Sequence, residues 1–243
     1  MQGDLAGARQ GFEQSLTMWQ KKSDQLGVSY ATGALGDLLL QEADLPGARK
    51  MYEQSLAIRT SRGDKIMVAE AQLGLAELSL EEARSPAQQE AAVRQALEVF
   101  QKQKARDDET QAWCILARAL LAEGKAAAAT EAMQHARPLA AKSQNPEIRW
   151  RTAINAARIE TADQSVAHSR AAIAARKELA DIIAKSRELG YQGIELDARL
   201  ALAEIEMKAG QTAAGRAHLA AIEADAKPKG YILVARKAAV ARG

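Results

Sequence analysis

The sequence is poor in residues that cross-link a chain, ligate metals or break helices. It contains one cysteine, three histidines and five prolines among 243 residues. A single cysteine cannot form an internal disulfide, which suits a reducing compartment, and we expect Cys114 to be a small buried apolar residue. The histidines lie in no metal-ligand spacing, and no glycine-rich phosphate loop is present. We therefore expect no metal, no cofactor and no enzymatic activity.

Long apolar runs and a charge of one sign are also missing. No apolar stretch approaches the ~18 residues of a membrane span, and the N-terminal residues do not resemble a signal peptide. The net charge is only +2, with acids and bases interspersed, so the basic field that marks nucleic-acid binders is absent. These absences predict a cytoplasmic protein that binds neither membrane nor nucleic acid.

What the sequence does contain is helix-forming residues in a repeated pattern. Apolar residues make up 47% but aromatics only 4%, and the abundance of Ala, Leu, Glu, Gln, Arg and Lys is typical of helices. The stretch DLPGARKMYEQSL, from Asp44 to Leu56, is nearly a copy of DLAGARQGFEQSL, from Asp4 to Leu16. Self-similarity at a fixed period indicates a solenoid of stacked units. We expect an all-α fold.

Residues at fixed places in this repeat resemble the tetratricopeptide repeat. Small residues let two antiparallel helices approach each other, and large ones fill the gaps between them. The matching residues are Leu35-Gly36, Leu39, Asp44, Ala48, Tyr52 and Ser55-Leu56. The period of 40 to 42 residues exceeds the usual period of about 34. It resembles the longer-helix subclass found in bacterial transcription regulators and signalling kinases. The resemblance implies a right-handed superhelical solenoid of antiparallel helix pairs, about 12 helices in all.

The repeats place the whole chain, residues 1–243, in a single solenoid domain. We expect a half repeat at 1–24, repeats at 25–63, 64–106, 107–144, 145–190 and 191–227, and a C-terminal capping helix at 228–243. The third turn and the fifth repeat are irregular. Ser85-Pro86 predicts a helix start, Pro138 predicts a kink, and a long helix is expected from Val166 to Leu189.

The first repeat lacks its first helix. We therefore expect the chain to be the C-terminal part of a larger bacterial protein. The face formed by Phe12, Leu16 and Trp19 would then be exposed, because the helix that covers it in a complete repeat is missing. An exposed apolar face of this kind promotes self-association.

The resemblance implies that a ligand binds the concave surface, which the first helix of each unit lines. A guanidinium group can hold a carboxylate with bidentate geometry, so the arginines of this surface favour an acidic protein segment. The alternative is that they are solvated surface charges. We expect the apolar side chains to contribute contact area. The candidate groove residues are Tyr30, Asp37, Val68, Leu75, Leu78, Gln111, Arg118, Arg151, Arg158, Asp197 and Glu204.

Together these features predict a non-catalytic scaffold domain that binds a protein or a peptide. The alternative is a regulatory or sensor domain that controls an attached signalling kinase or transcription factor. We expect the basic residues near the C-terminus, which include Arg236 and Lys237, to aid solubility.

Overall fold

The chain folds into α-helices that pack in successive pairs. The computed structural model describes residues 5–83, 86–163 and 169–243. Within these ranges there are twelve α-helices and no strand, which confirms the predicted all-α solenoid and its number of helices. The helices are α1 (Leu5–Lys21), α2 (Gln25–Gln41), α3 (Leu45–Arg62), α4 (Lys65–Glu81), α5 (Pro86–Gln103), α6 (Arg106–Ala122), α7 (Ala126–Ala140), α8 (Pro146–Glu160), α9 (Arg170–Glu188), α10 (Gln192–Lys208), α11 (Thr212–Ala226) and α12 (Ile232–Arg242).

Aspartates at a spacing of 20 residues begin three consecutive helices. Asp24, Asp44 and Asp64 are the N-cap residues of α2, α3 and α4. Each side chain accepts a hydrogen bond from the backbone N–H three residues later, at 3.0 to 3.1 Å. These bonds satisfy donors that a helix start leaves without an intrahelical partner. The repeated turn is therefore fixed by a repeated cap.

The even-numbered helices form the inner layer of the solenoid. Every helix packs on its neighbours in the chain, and the even-numbered helices also pack on one another in the order α2, α4, α6, α8 and α10. The last helix, α12, packs on α10 and α11 and also on α2. Besides packing against the last repeat, α12 therefore closes the inner layer into a ring.

Contacts between the two ends of the chain hold this ring closed. Leu233 of α12 packs against the N-terminal core cluster that contains Leu40 and Tyr52. Conversely, Leu5 of α1 packs against the C-terminal core cluster. The ammonium group of Lys237 lies 2.7 Å from a carboxylate oxygen of Glu81, an ion pair across 156 positions of the sequence. The described ends thus bury each other's apolar side chains.

The ring of Tyr52 packs between two inner helices at glycine positions. A Cβ atom added to Gly36 of α2 would lie 2.6 Å from the Tyr52 ring, and one added to Gly74 of α4 would lie 2.8 Å from it. Tyr52 itself is only 3% exposed. The small residues predicted to allow close helix packing do so here by making room for one aromatic ring.

We expect Gly36→Ala and Gly11→Ala to change stability in opposite directions. At Gly36 the new methyl group overlaps the enclosed Tyr52 ring, so overpacking should cost about 1–3 kcal/mol. Gly11 lies on the exposed side of α1, and a Cβ atom there meets nothing within 4 Å. Its replacement should stabilise the helix by up to about 1 kcal/mol. Urea unfolding measures both; equal effects would contradict the packing described here.

The predicted exposed face of α1 is wrong. Phe12, Leu16 and Trp19 are each partly buried. The indole of Trp19 lies directly over Gly27 of α2, and Phe12 lines a central cavity. These side chains are covered from within, because α1 packs on α2 and reaches the C-terminal core cluster. Self-association stays a prediction, but it no longer has an exposed apolar face as its cause.

Two of the predicted irregularities fall partly outside the described residues. Ser85, the expected cap of α5, and Val166, the expected start of α9, are not among them. In the described part, α9 begins at Arg170, and the Ser169 hydroxyl accepts a hydrogen bond from a backbone N–H at 3.1 Å. Pro138 lies in the last turn of α7. The kink and the repeat boundaries stay predictions.

Candidate functional site

The ring encloses a cavity that is lined by ten charged side chains of the inner helices. Its volume is about 770 Å³. All six inner helices and α1 contribute to its wall. Six carboxylates face four cationic groups there, so acids are in excess by two. The charged lining residues are Asp37, Glu77, Glu81, Glu147, Asp197, Glu204, Arg118, Arg151, Arg158 and Lys237.

Arg118 of α6 bridges two glutamates of α4. Its guanidinium lies 2.8 Å from a carboxylate oxygen of Glu77 and 2.5 Å from one of Glu81. Lys237 brings a second cation to Glu81 from α12. Burial alone would raise the pKa of the Glu81 carboxyl, but the two cations outweigh burial and lower it. Glu81 therefore stays ionised and links α4, α6 and α12.

Arg158 of α8 makes an equivalent bridge to α10. Its guanidinium lies 2.8 Å from Asp197 and 2.9 Å from Glu204, and it also donates to the Asp197 carbonyl at 3.2 Å. Burial opposes ionisation of Asp197, but the Arg158 charge and hydrogen bond outweigh it and lower the pKa of Asp197 to about 2. The same pairing raises the pKa of Arg158, against the effect of burial. Arg158 and Asp197 are therefore both charged at neutral pH.

Arg151 is the most exposed of the three cavity arginines. Its guanidinium lies 2.7 Å from Glu147, one turn earlier on α8, and its side chain is 45% exposed. Pairs of this i,i+4 kind are weak and readily exchanged. Arg151 is therefore the most accessible cation of the wall.

Asp37 of α2 is the acid of the wall with no cation at ion-pair distance among the described residues. The Tyr52 hydroxyl donates a hydrogen bond to its Oδ1 at 2.7 Å. Asp37 is exposed where it lines the cavity, but the neighbouring walls of the cavity still desolvate its carboxyl. This desolvation raises its pKa to about 6, with Glu77 adding to the rise and the Tyr52 hydrogen bond opposing it.

Most of the polar groove residues predicted from the sequence line this cavity. They come from four inner helices and lie on one continuous wall. They are Asp37, Gln111, Arg118, Arg151, Arg158, Asp197 and Glu204. The alternative prediction, that the arginines are solvated surface charges, does not describe Arg118 and Arg158. Each of them bridges two acids of an adjacent inner helix.

The apolar patch predicted on α4 does not line the cavity. Leu78 is fully buried and packs in the N-terminal core cluster with Tyr52, so its proposed contact with a ligand is wrong. Leu75 packs against the same cluster, and Val68 is partly buried elsewhere on α4. The face of α4 that meets the cavity instead carries Glu77 and Glu81.

Tyr30 also lies away from the cavity wall. It is 55% exposed, and the guanidinium of Arg59 lies 5.7 Å from the centre of its ring. Lys237, which we expected to be a solubility residue, turns inward to Glu81 instead. The position of Lys237 in the sequence could not predict this contact, because its side chain reaches Glu81 only when α12 closes the ring.

The cavity shows no arrangement of reactive groups among the described residues. Cys114 borders it, but burial raises the pKa of its thiol to about 11, and the thiol lies 3.7 Å from the Thr152 hydroxyl. It is therefore protonated at neutral pH and a poor nucleophile. Across the described ranges, no three His, Cys, Asp or Glu side chains are grouped so that they could hold a metal ion. The helices of the same ranges include none with the length and hydrophobicity of a membrane span.

Comparison with known proteins agrees with the architecture. Residues 1–61 match the tetratricopeptide repeat family. A crystal structure of a putative kinesin light chain from Podosopora anserina, with nearly identical TPR-like repeats, superimposes with a TM-score of 0.51 at 19% identity. The match covers 80% of this chain and 92% of that one. No curated protein sequence matches the chain.

These matches place the repeat pattern and the helix stack in one known class. Tetratricopeptide repeats generally mediate interactions between proteins. The longer-repeat subclass suggested by the spacing stays a prediction. The chain is thus similar to the tetratricopeptide repeat family over residues 1–61, and its helix stack has a tetratricopeptide-like fold.

Proposed function

We propose that this chain is a non-catalytic scaffold module that binds a protein or peptide segment in its central cavity. The observation that supports this most strongly is convergence. Six inner helices direct ten charged side chains at one cavity of about 770 Å³. Concave, largely preformed cavities with a few convergent polar groups are the usual sites of recognition.

The size of the cavity limits how much of a ligand can enter. Pockets that take drug-sized ligands measure roughly 300–1,000 Å³. A cavity in this range takes the side chains of a short segment, whereas a whole amphipathic helix needs an open groove. Because α12 packs on α2, the segment enters along the axis of the ring. The ligand is therefore a loop, a tail or a single protruding segment.

The arginines support an acidic ligand less well than the sequence suggested. Arg118 and Arg158 each have two internal carboxylates at 2.5 to 2.9 Å. An acidic ligand would have to displace these carboxylates, and a displaced partly buried acid loses its stabilising charge. Arg151 is the cation best placed to meet a ligand carboxylate.

A tryptophan at Gln111 is expected to block the cavity. Gln111 lies on α6, is exposed to the cavity and takes part in none of the ion pairs. Gln111→Trp adds bulk to the wall without removing a charge. In a selection from a random heptapeptide library, we expect the native chain to retain a defined set of peptides. The affinity of the variant for these peptides should be at least tenfold lower, which corresponds to about 1.4 kcal/mol of binding free energy.

The matched control is Gln134→Trp on the outer helix α7. Gln134 is exposed and is not part of the cavity wall. This variant adds the same indole to the outside of the solenoid, so the same peptides should still be retained. Equal losses in both variants, or retention of peptides by Gln111→Trp at the native level, would place binding outside the cavity. Retention of no peptide by the native chain would contradict the proposed function.

The regulatory alternative rests on the resemblance in sequence. No contact among the described residues favours control of an attached kinase or transcription factor over simple binding. It therefore stays a prediction, together with the bacterial and cytoplasmic setting.

A further inference from the structure

The cations of the cavity are already matched to carboxylates, but one carboxylate is not matched to a cation. Arg118 and Lys237 pair with Glu77 and Glu81, Arg158 is shared by Asp197 and Glu204, and Arg151 pairs with Glu147. Asp37 has no such partner among the described residues. A charge left unpaired inside a cavity is costly unless something in the functional state compensates it.

The carboxyl of Asp37 is held in a fixed orientation. Its Oδ1 accepts the Tyr52 hydroxyl at 2.7 Å. The Tyr52 ring cannot shift easily, because it is packed between Gly36 and Gly74. Asp37 lines the cavity, and the Tyr52 hydroxyl is the one side-chain donor to its carboxyl from the part of the chain that the structure describes. The group is therefore a preorganised acceptor rather than a mobile surface acid.

The charged and titratable neighbours of Asp37 come from three packed helices. Tyr52 and Arg59 belong to α3, Glu77 to α4 and Arg151 to α8. Arg59 and Arg151 act on the carboxyl only through space, since neither lies at ion-pair distance from it. Glu77 faces the same region of the cavity, and its charge opposes the ionisation of Asp37. A cation placed between Asp37 and Glu77 would relieve that opposition.

We propose that Asp37, with Glu77 beside it, binds a cationic group of the ligand, either a guanidinium or a primary ammonium. This inference rests on the proposed function, because the cation is then a basic side chain or an amino terminus of the bound segment. It also agrees with the excess of acids in the wall. One ammonium or guanidinium that enters the cavity lowers this excess from two to one and donates a hydrogen bond to the Asp37 carboxylate.

The same arrangement makes binding of the cation dependent on pH. The carboxyl of Asp37 has a pKa of about 6. Only its ionised form attracts a cation. At pH 5 about a tenth of such a carboxyl is ionised, whereas nearly all of it is ionised at pH 7.5, so affinity should fall about tenfold.

A selection of peptides at pH 7.5 tests the inference. The native chain, Asp37→Asn and Asp181→Asn are each exposed to a random heptapeptide library. Asn at position 37 keeps an oxygen that can accept the Tyr52 hydroxyl, so the fold should persist, and the melting temperature checks this. Asp181 is an exposed acid of α9 away from the cavity and serves as the matched control.

We expect the native chain and Asp181→Asn to enrich Lys, Arg or a free amino terminus at one position of the retained peptides. Asp37→Asn should lose this enrichment, and so should the native chain at pH 5. The pH comparison needs no variant, so it remains decisive even if Asp37→Asn is unstable. A second assay titrates Nα-acetyl-L-argininamide, with Nα-acetyl-L-citrullinamide as its uncharged analogue, by NMR against all three proteins.

The outcomes separate the inference from the proposed function. Peptides retained without any preference for a basic group overturn the inference and leave the proposed function intact. Argininamide bound through Asp37 with no peptide retained supports the cationic site but overturns peptide binding, and indicates a free small cation. If neither probe binds, or if the enriched residues are acidic, the cationic site is wrong.

Discussion

Replacing Arg158 by alanine is expected to lower the free energy of unfolding by roughly 2–4 kcal/mol. The side chains of Arg158, Asp197 and Glu204 are each only about a quarter exposed. Removing the guanidinium leaves two neighbouring carboxylates in a partly buried place with no cation between them. The estimate lies below the full cost for a deeply buried pair because water reaches all three groups. Chemical unfolding monitored by circular dichroism measures the change.

The control for this variant is Arg137→Ala. Arg137 makes one bond of 2.7 Å to Glu160, and its side chain is 40% exposed. A single exposed ion pair is worth about 0–1 kcal/mol, so this variant should be nearly neutral. Comparing the two variants therefore tests whether an arginine that bridges two acids in the cavity contributes to stability. Equal losses at both positions would contradict the role given to Arg158.

Lowering the pH should narrow the difference in the free energy of unfolding between the native chain and Arg158→Ala. The pKa of Asp197 in the folded native chain is about 2, below its ordinary value of 3.8. Its contribution to stability is therefore present above pH 4 and is lost as the pH falls toward 2. In the variant this contribution is already missing, because Asp197 has lost the guanidinium that lowers its pKa. A gap that stays constant from pH 7 to pH 3 would rule out this electrostatic explanation.

The local structure follows closely from the sequence because local rules govern it. The capping aspartates Asp24 and Asp44 begin α2 and α3 by hydrogen bonds within three residues. Such interactions depend only on neighbours in the chain. Helix number and pairing are therefore readable from the repeat.

Closure of the ring could not be read in this way. Whether α12 reaches α2 depends on small rotations between repeats that accumulate along the solenoid. Contacts such as Lys237 with Glu81 join residues 156 positions apart. No periodicity in the sequence encodes a distance of that kind. The expectation of an exposed apolar face on the first helix is consequently wrong at Phe12 and Trp19.

The assignment of faces on α4 failed for a different reason. Leu75 and Leu78 follow the helical spacing expected of a groove face, but the core uses them, and Glu77 and Glu81 share the other face. Apolar residues go to the interior whichever side the family pattern assigns. A signal for the acids was nevertheless present. Glu77 lies 41 positions before Arg118, about one repeat, and equivalent positions in successive repeats are stacked as neighbours.

Tyr52→Ala is expected to cost roughly 3–5 kcal/mol, the usual range for removing a buried aromatic side chain. The ring fills the space between Gly36 and Gly74, two positions that have no side chain with which to collapse into the vacancy. Tyr52→Phe should cost only about 1–2 kcal/mol, because it removes the hydroxyl and leaves the ring. It should also raise the pKa of Asp37 above about 6, since the hydrogen bond from Tyr52 lowers that pKa.

Tyr30→Ala provides the matched comparison for Tyr52→Ala. Tyr30 is 55% exposed, and its described ring contact is the guanidinium of Arg59. Losing an exposed cation–π contact should cost about 0.5–1 kcal/mol. Urea unfolding of the three variants and an NMR titration of the Asp37 carboxyl test the whole argument. If Tyr52→Phe leaves the Asp37 titration unchanged, Tyr52 does not hold that carboxyl in place. The packing of the core and the chemistry of the cavity would then be independent, whereas the position of Tyr52 between the two couples them.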